Sequence, residues 1–322
     1  MRAAVLFLLS YATALGQSYA PGPGMPGSEA LHKNNPAFIA WATGIEVTRG
    51  PVKISDPSFA AAGSIFASAG LDVYALGFPD GNSVSLGDGG IATLSFATPI
   101  TDGDGYDFAV FETGTPDYLE LAFTEASSDG VNFFRFPSHS QTQSETQTGT
   151  FGSPLPEYLN NLAGKYGGVY GTPFDLSSLP EDPMLDKSRI THIRIIDVIG
   201  SIDPEYARYD SFGNRVNDSF PTPFNTSGFD LQGVGVINQL TLGAIGLPFK
   251  KAVIHPNPVT DYLNINGIGD AWIVVYNIQG EAVIRQFCQS TELLDLSRLA
   301  AGLYIVEIKQ ENERQALKIV KK

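Results

Sequence analysis

Short strand-like runs separated by turn residues are the feature that most restricts the fold of this chain. Runs such as 91–96, 106–112 and 190–199 are rich in β-branched and aromatic residues, and helix-friendly stretches are scarce. The 34 glycines and 21 prolines supply turns between the runs. Because a 322-residue chain that is 43% hydrophobic has enough apolar side chains for a sizeable core, the pattern predicts an all-β protein.

The strand pattern divides the chain into two expected domains. Residues 36–240 are predicted to form a large β-sandwich of the jelly-roll type. Residues 241–251 have the composition of a linker, and residues 252–322 carry their own short strands, which predict a small immunoglobulin-like β-sandwich. The Pro- and Gly-rich sequence within 17–35 predicts a flexible lead-in to the first domain.

The N-terminus has the pattern of a secretion signal. A charged start at Arg2 precedes a short apolar run, and Ala14 and Gly16 supply the small residues of a cleavage site, so residues 1–16 are the expected signal peptide. The apolar run is too short to span a bilayer, which needs about 18 apolar residues, and no other stretch approaches that length. We therefore expect a secreted protein without a transmembrane segment.

Negative charge is concentrated in the first domain. The net charge is −14, and 26 of the 34 acidic residues precede Pro248, against 11 of the 20 basic residues. Such a surface repels phosphate backbones, so nucleic acid is not an expected partner. The carboxylates either keep the domain soluble or bind cations.

The densest acidic segment is a candidate metal site. Asp102, Asp104 and Asp107 alternate with glycines at the start of a predicted strand, and their oxygens are ligands that Ca²⁺ prefers. Glu112 or Asp230 is a candidate for completing the site through space. The alternative is an ordinary turn, because Asp and Gly both favour turns.

A second group of side chains suggests a sugar-binding face. Asp203, Tyr206, Tyr209 and Asp210 combine aromatic rings, which stack on sugars, with carboxylates, which accept hydrogen bonds from sugar hydroxyls. The alternative is that the aromatic residues anchor a long loop. Asp197 is a different case, because it lies within an apolar strand and needs an ion pair or a hydrogen-bond network to be buried there.

The last 70 residues resemble the type A sorting domain of type IX secretion substrates from Bacteroidetes-like bacteria. The resemblance rests on the segments IHPNP, VVYNIQG, LDLSRLAAGLYIV and LKIVKK, in that order. Its motif residues are Pro256, Asn257, Pro258, Gly280, Gly302, Tyr304 and Lys318. The resemblance implies recognition by the type IX secretion machinery and removal of the domain near the linker by its sortase-like processing enzyme. The cargo would then be anchored to surface lipopolysaccharide or released.

The first domain resembles a family of secreted bacterial surface proteins of uncharacterised activity. The resemblance rests on segments including SVSLGDGG, YDFAVFE, SSDGVNF and GTPFDL. Neither a phosphate-binding loop nor a Gly-x-Ser-x-Gly elbow is present in the sequence. These observations favour a non-catalytic binding or adhesion module, with a glycan as the candidate ligand. The alternatives are an extracellular polysaccharide hydrolase and a structural envelope protein.

Overall fold

The computed structural model describes residues 19–115, 117–240, 252–266, 270–288, 292–310 and 313–322. They belong to two compact units, one ending at Leu240 and the other within Thr241–Lys322. The expected signal peptide and linker lie outside the described residues. Of the helices that the structure describes, none has the length and apolar character needed to cross a membrane.

The first unit, which we call the cargo domain, is built from short strands. Its strands are β1 (Leu31–His32), β2 (Ala40–Trp41), β3 (Gly44–Thr48), β4 (Val84–Ser85), β5 (Ile91–Ile100), β6 (Phe108–Glu112), β7 (Ala122–Ser127), β8 (Phe134–Arg135), β9 (His139–Ser140), β10 (Leu159–Asn160), β11 (Tyr170–Phe174), β12 (Ile190–Asp197) and β13 (Asp230–Val236). Its helices are 3₁₀ turns at Asp72–Ala75, Pro156–Tyr158, Leu176–Ser178 and Lys187–Arg189.

Two antiparallel sheets form the cargo sandwich. One has the order β1-β11-β6-β13-β2, with β4 also paired to β13, and the other has the order β3-β5-β12-β7-β8. From β5 to β7, and again from β11 to β13, successive strands alternate between the two sheets. That alternation is typical of a jelly roll, so the predicted all-β, jelly-roll-like sandwich is confirmed.

The core lies between these two sheets. Ile193 and Ile195 on β12 are buried together with Leu94 on β5, and Val110 and Val234 reach the same core from β6 and β13. The central position of β12, between β5 and β7, explains why its sequence is so rich in β-branched residues. The strands β6, β12 and β13, which border this core, also carry the acidic residues Glu112, Asp197 and Asp230 described below.

The packed part of the chain begins upstream of residue 36. Leu31–His32 forms β1 and pairs with β11, and the backbone N–H of Tyr19 donates to the carbonyl of Glu157. Part of the segment expected to be a flexible lead-in is therefore bound to the cargo domain, because backbone hydrogen bonds to a sheet edge stabilise it despite its Pro- and Gly-rich composition.

The second unit is a smaller sandwich. Its strands are β14 (Val253–His255), β15 (Tyr262–Asn266), β16 (Ala271–Tyr276), β17 (Ala282–Cys288), β18 (Glu292–Asp295), β19 (Gly302–Gln310) and β20 (Glu313–Lys321). The order β14-β15-β18 in one sheet and β17-β16-β19-β20 in the other encloses a core that includes Leu263, Ile273 and Val306. This arrangement confirms the predicted immunoglobulin-like fold.

Candidate functional site

The acidic segment before β6 contributes two residues, not three, to a carboxylate group. Asp102, Asp107 and Asp175 each offer an oxygen, and these oxygens lie within 4.8 Å of one another. Asp104 is exposed and is not a member of this group. Burial and the neighbouring charge of Asp175 raise the pKa of Asp102.

Asp175 joins the group because of strand pairing. Phe174 on β11 lies opposite Phe108 on β6, so the residue after β11 reaches the residue before β6. The pairing joins positions far apart in the sequence, and no local motif indicated that Asp175 would lie near Asp107.

Hydrogen bonds hold Asp107 within the turn. One oxygen accepts from Gly103 N at 2.9 Å and Asn238 Nδ2 at 2.8 Å, and the other accepts from Leu176 N at 2.8 Å. Burial nevertheless raises the pKa of Asp107. Asp175 likewise caps the 3₁₀ turn that follows it. These carboxylates organise the loop by themselves, and Ca²⁺ binding here stays a prediction.

The two residues considered for completing that site lie elsewhere. Glu112 ends β6, whereas Asp107 precedes it, so the whole strand separates them. Asp230 lies beside Glu112, since Thr113 N donates to the Asp230 carbonyl at 3.0 Å. Both residues belong to a separate group at the opposite end of β6.

A polar cleft of about 450 Å³ includes one of the predicted ligand residues. Its lining residues are His139, Ser140, Gln141, Thr142, Ser144, Tyr209, Gly213, Asn214 and Arg215. Tyr209 is 45% exposed and is one of these lining residues. Of the four residues predicted to form a sugar-binding face, Tyr209 is the one that lines this cleft.

Asp210 supports the cleft from beneath. Its buried carboxylate accepts hydrogen bonds from Ser140 N at 2.7 Å and from Phe212 N and Asn214 N at 2.8 Å. Burial disfavours its charged form, but the hydrogen bonds, led by the one from Ser140, lower its pKa overall. The loop from Tyr209 to Arg215, whose two ends are bridged, is thus tied to β9.

The other two predicted ligand residues do not reach the cleft lining. Asp203 is exposed, and its carboxylate accepts from Glu205 N within its own turn. Tyr206 is half-buried and lies outside the lining. The predicted four-residue face therefore does not form a single surface: Tyr209 lines the cleft and the other three residues do not.

His139 is a cleft residue that sequence reasoning missed. Its ring lies 4.6 Å from the ring of Phe212, between centroids. The hydroxyl of Tyr19 forms a hydrogen bond with His139 Nδ1. Because both partners come from segments distant from His139 in the sequence, no sequence pattern near His139 indicated its role.

A third acidic group, which we call the buried carboxylate cluster, surrounds the ends of β6, β12 and β13. Its members are Glu112, Glu120, Asp197, Asp218 and Asp230. Asp197 accepts hydrogen bonds from Gly89 N, Ile199 N and Phe229 N, each at 2.8 Å. Burial raises the pKa of Asp197 to about 6. The network predicted for Asp197 therefore exists, and backbone amides form it.

Two further members of the cluster also have hydrogen-bond donors. Asp218 accepts from Leu121 N at 2.6 Å and Ser219 N at 2.8 Å, and the hydroxyl of Ser85 donates to Asp230. Burial raises the pKa of Asp218 to about 7 and that of Asp230 to about 6. Five carboxyl groups thus belong to this region, and burial is the main cause of the raised pKa of each.

The sorting-motif residues organise the small sandwich. The side-chain amide of Asn257 donates to the Lys318 carbonyl at 2.8 Å and accepts from Val320 N at 3.0 Å, which ties the segment after β14 to β20. Pro256 and Pro258 flank Asn257. The other motif residues lie at turns and strand ends. Gly280 has a positive φ of 82° in the turn before β17, Gly302 begins β19, and the Tyr304 hydroxyl donates to the Ala300 carbonyl at 2.9 Å.

Solved structures give only weak similarities. PorZ of Porphyromonas gingivalis, described as an essential surface component of the type-IX secretion system, is 14% identical with a TM-score of 0.22, covering 28% of this chain and 14% of PorZ. The β-glucuronidase of Parabacteroides merdae is 10% identical with a TM-score of 0.22, covering 88% of this chain and 35% of the enzyme. That of Ruminococcus gnavus is 11% identical with a TM-score of 0.19, covering 73% and 36% respectively.

This chain therefore spans less than two fifths of each of those chains. TM-scores this low do not establish a common fold. No curated protein matches this chain in sequence.

The sequence family match is specific to the C-terminal unit. Residues 253–322 match the secretion system C-terminal sorting domain, which is the segment that folds as the small sandwich. The C-terminal unit is therefore a sorting domain of the type IX secretion system, and the protein is a secreted one of the cell surface or extracellular space.

Proposed function

We propose that the cargo domain is a non-catalytic binding module that binds a glycan in the cleft formed by His139, Tyr209 and Arg215. The observation that carries the proposal is that Tyr209, an exposed aromatic residue, lines a polar cleft. A tyrosine ring stacks on the apolar face of a sugar, and neighbouring polar groups orient its hydroxyls.

The polar lining suits sugar hydroxyls. Arg215 and Asn214 offer N–H donors, and Gln141 and Thr142 offer both donors and acceptors. The hydrogen bonds to Asp210 hold the Tyr209 loop in place before a ligand arrives. Such preorganisation reduces the entropy lost on binding.

A hydrolase is the alternative of a different class. Glycoside hydrolysis usually needs two carboxyl groups that flank the sugar. Among the described residues that line this cleft there is no Asp or Glu. The lining therefore favours binding over turnover.

The test is a glycan-array screen of the exported protein, combined with an assay for released reducing sugar. Binding without sugar release is the expected result. Tyr209→Ala should weaken binding by at least about tenfold, which corresponds to about 1.4 kcal/mol. Tyr206→Ala, a matched change outside the cleft lining, should retain binding.

Other outcomes decide between the alternatives. Sugar release from any polymer would support a hydrolase and contradict the proposal. No binding to any glycan would leave a structural envelope protein as the better description. Equal loss of binding in Tyr206→Ala and Tyr209→Ala would mean that the glycan binds outside the cleft.

We further propose that Ca²⁺ supports the module, with Asp102, Asp107 and Asp175 as its candidate ligands. Their oxygens are close enough for a single ion to contact all three. Asp102 is the exposed member, so Asp102→Asn should remove this binding without disturbing the hydrogen bonds of Asp107. Calorimetric titration with CaCl₂ measures the loss.

After export, we propose that the sortase-like enzyme of the machinery removes residues 252–322 near the linker. The cargo would then be attached to surface lipopolysaccharide or released. Mass spectrometry of the surface and medium fractions distinguishes these fates, and an intact sorting domain on the mature protein would contradict the processing step.

A further inference from the structure

The polar cleft contains a cation in a domain that is otherwise acidic. The described residues that line it include Arg215 but no Asp or Glu. By contrast, the sequence before Pro248 holds 26 acidic residues against 11 basic ones. The lining of the cleft therefore carries a charge opposite in sign to that of the domain around it.

The Arg215 side chain has no partner within the described part of the chain. It is half-buried, yet it forms neither a hydrogen bond nor a salt bridge with any described residue. Other half-buried arginines of the cargo domain are paired: Arg49 donates to the Ala69 carbonyl at 2.7 Å, and Arg194 lies 3.5 Å from Glu125. A guanidinium offers five N–H donors in a planar fork, so Arg215 is suited to pairing with a ligand.

Backbone pairing places Tyr209 and Arg215 side by side. The two residues form an antiparallel bridge, and backbone hydrogen bonds of 2.9 and 3.0 Å join the residues that flank one to the residues that flank the other. This pattern defines a non-hydrogen-bonded pair, in which the Cα atoms are about 4.5 Å apart and both side chains project from the same face. A ligand that contacts the Tyr209 ring is therefore within reach of the Arg215 guanidinium.

Asp210 does not neutralise Arg215, although it lies between the two in sequence. Its Oδ1 accepts from Phe212 N and Asn214 N, and its Oδ2 accepts from Ser140 N and Asn214 Nδ2. Four donors occupy the acceptor positions of one carboxylate, and no salt bridge among the described residues joins it to Arg215. The guanidinium keeps its donors available in the cleft.

The chemistry of this pair favours an acidic sugar. Arginine binds oxyanions through two parallel hydrogen bonds, and charge-assisted bonds are about twice as strong as neutral ones. A sugar that carries a carboxylate or a sulfate offers that oxyanion together with an apolar ring face on which Tyr209 can stack. The negative charge of the remaining domain acts against a long polyanion, so short oligosaccharides are the suitable ligands.

We propose that the cleft selects short acidic glycans, in which the carboxylate of a uronic acid or a sulfate ester pairs with Arg215 while the sugar ring stacks on Tyr209. This inference rests on the proposed glycan-binding function and narrows its ligand class.

The test compares acidic oligosaccharides with uncharged counterparts on the exported protein. A glycan array that carries both classes gives the preference. Calorimetric titration then measures affinity for oligogalacturonate against its methyl ester, and for sulfated galactan oligosaccharides against the desulfated form. The acidic member of at least one pair should bind at least about tenfold more tightly. The pair that shows the larger difference identifies the oxyanion as carboxylate or sulfate.

Arg215→Gln should remove this preference by weakening binding of the acidic oligosaccharide while leaving that of the uncharged one unchanged. Arg215→Lys, which keeps the charge but not the fork, should retain part of the preference. Arg189→Gln removes an exposed positive charge outside the cleft lining and is the matched control, so it should bind like the wild type. Thermal melting checks folding, and Arg215→Gln should melt at the wild-type Tm because Arg215 has no described partner to lose.

Two kinds of failure are distinguishable. Uncharged glycans that bind the wild type as tightly as acidic ones would overturn this inference and leave the glycan-binding function standing. A preference for acidic glycans that persists in Arg215→Gln would also overturn it, because the oxyanion would then be recognised elsewhere. If no glycan of either class binds, both proposals fall together.

Discussion

At the residue scale, Asp88 shows how burial makes stability depend on pH. Its carboxylate is buried and accepts from Ile54 N at 2.7 Å and from Ser227 Oγ at 3.3 Å. Burial, followed by the negative charge of Asp197, raises its pKa from 3.8 to about 7. Between these values the folded state binds more protons than the unfolded state, so stability is lost as pH rises.

We therefore expect the cargo domain, in the presence of chelator, to unfold at a higher Tm at about pH 5 than at about pH 8. Asp88→Asn should reduce this difference, since the neutral amide does not titrate. Melting curves across the pH range measure both effects. A wild-type Tm that is constant or rises over this range would contradict the prediction.

The Tyr209 loop also depends on a single residue. Asp210 accepts hydrogen bonds from the backbone of Ser140, Phe212 and Asn214. Asp210→Ala leaves these donors without their partner, and we expect it to cost about 1 to 3 kcal/mol in the free energy of unfolding. Glycan affinity should fall as it does in Tyr209→Ala. Retained affinity, measured on the same glycan, would show that the loop does not carry the ligand.

At the element scale, β12 is the strand on which the cargo sandwich most depends. It pairs with β5 on one side and β7 on the other, and Ile193 and Ile195 point into the core. Its last residue, Asp197, receives backbone N–H donors from the segments before β5 and β13. The same strand therefore supports both the core and the buried carboxylate cluster.

We expect Ile193→Ala to lower the free energy of unfolding of the cargo domain by about 2 to 5 kcal/mol, because it leaves a cavity in a packed core. Ile193→Val, which removes one methylene, should cost about 0.5 to 1.5 kcal/mol. Denaturant-induced unfolding of the cargo domain measures the free energy lost in each variant. Similar costs for the two variants would mean that the core collapses around the cavity.

At the scale of the whole molecule, export and binding belong to different domains. The sorting domain comprises residues 253–322, whereas the cleft and the carboxylate groups lie within the unit that ends at Leu240. Each unit has its own hydrophobic core. Loss of export should therefore leave the cargo folded.

Deletion of residues 252–322 in the native host should leave the cargo in the periplasm, because the secretion machinery no longer has its sorting domain to bind. Fractionation followed by immunoblotting locates the protein. Tyr209→Ala in the full chain is the control and should reach the surface like the wild type. A truncated protein that still reaches the surface would show that the cargo carries an export signal of its own.

The sequence by itself determined the class of fold and the export domain. Alternating apolar runs and turn residues indicate strands because both act over a few neighbouring residues. The sorting motif is likewise readable, since Pro256, Asn257 and Pro258 lie together in the chain. The need for either an ion pair or a hydrogen-bond network at Asp197 also followed from local sequence alone.

Only the tertiary structure decided which acidic and aromatic residues meet. Asp175 joins Asp107 through the pairing of β11 with β6, and the backbone of Asp230 lies next to that of Glu112 through the pairing of β13 with β6. Tyr209 lines the cleft, whereas Tyr206, three residues earlier, does not. Strand register is set by the packing of the entire core, so residues that are distant in the sequence become neighbours for reasons that no local pattern contains.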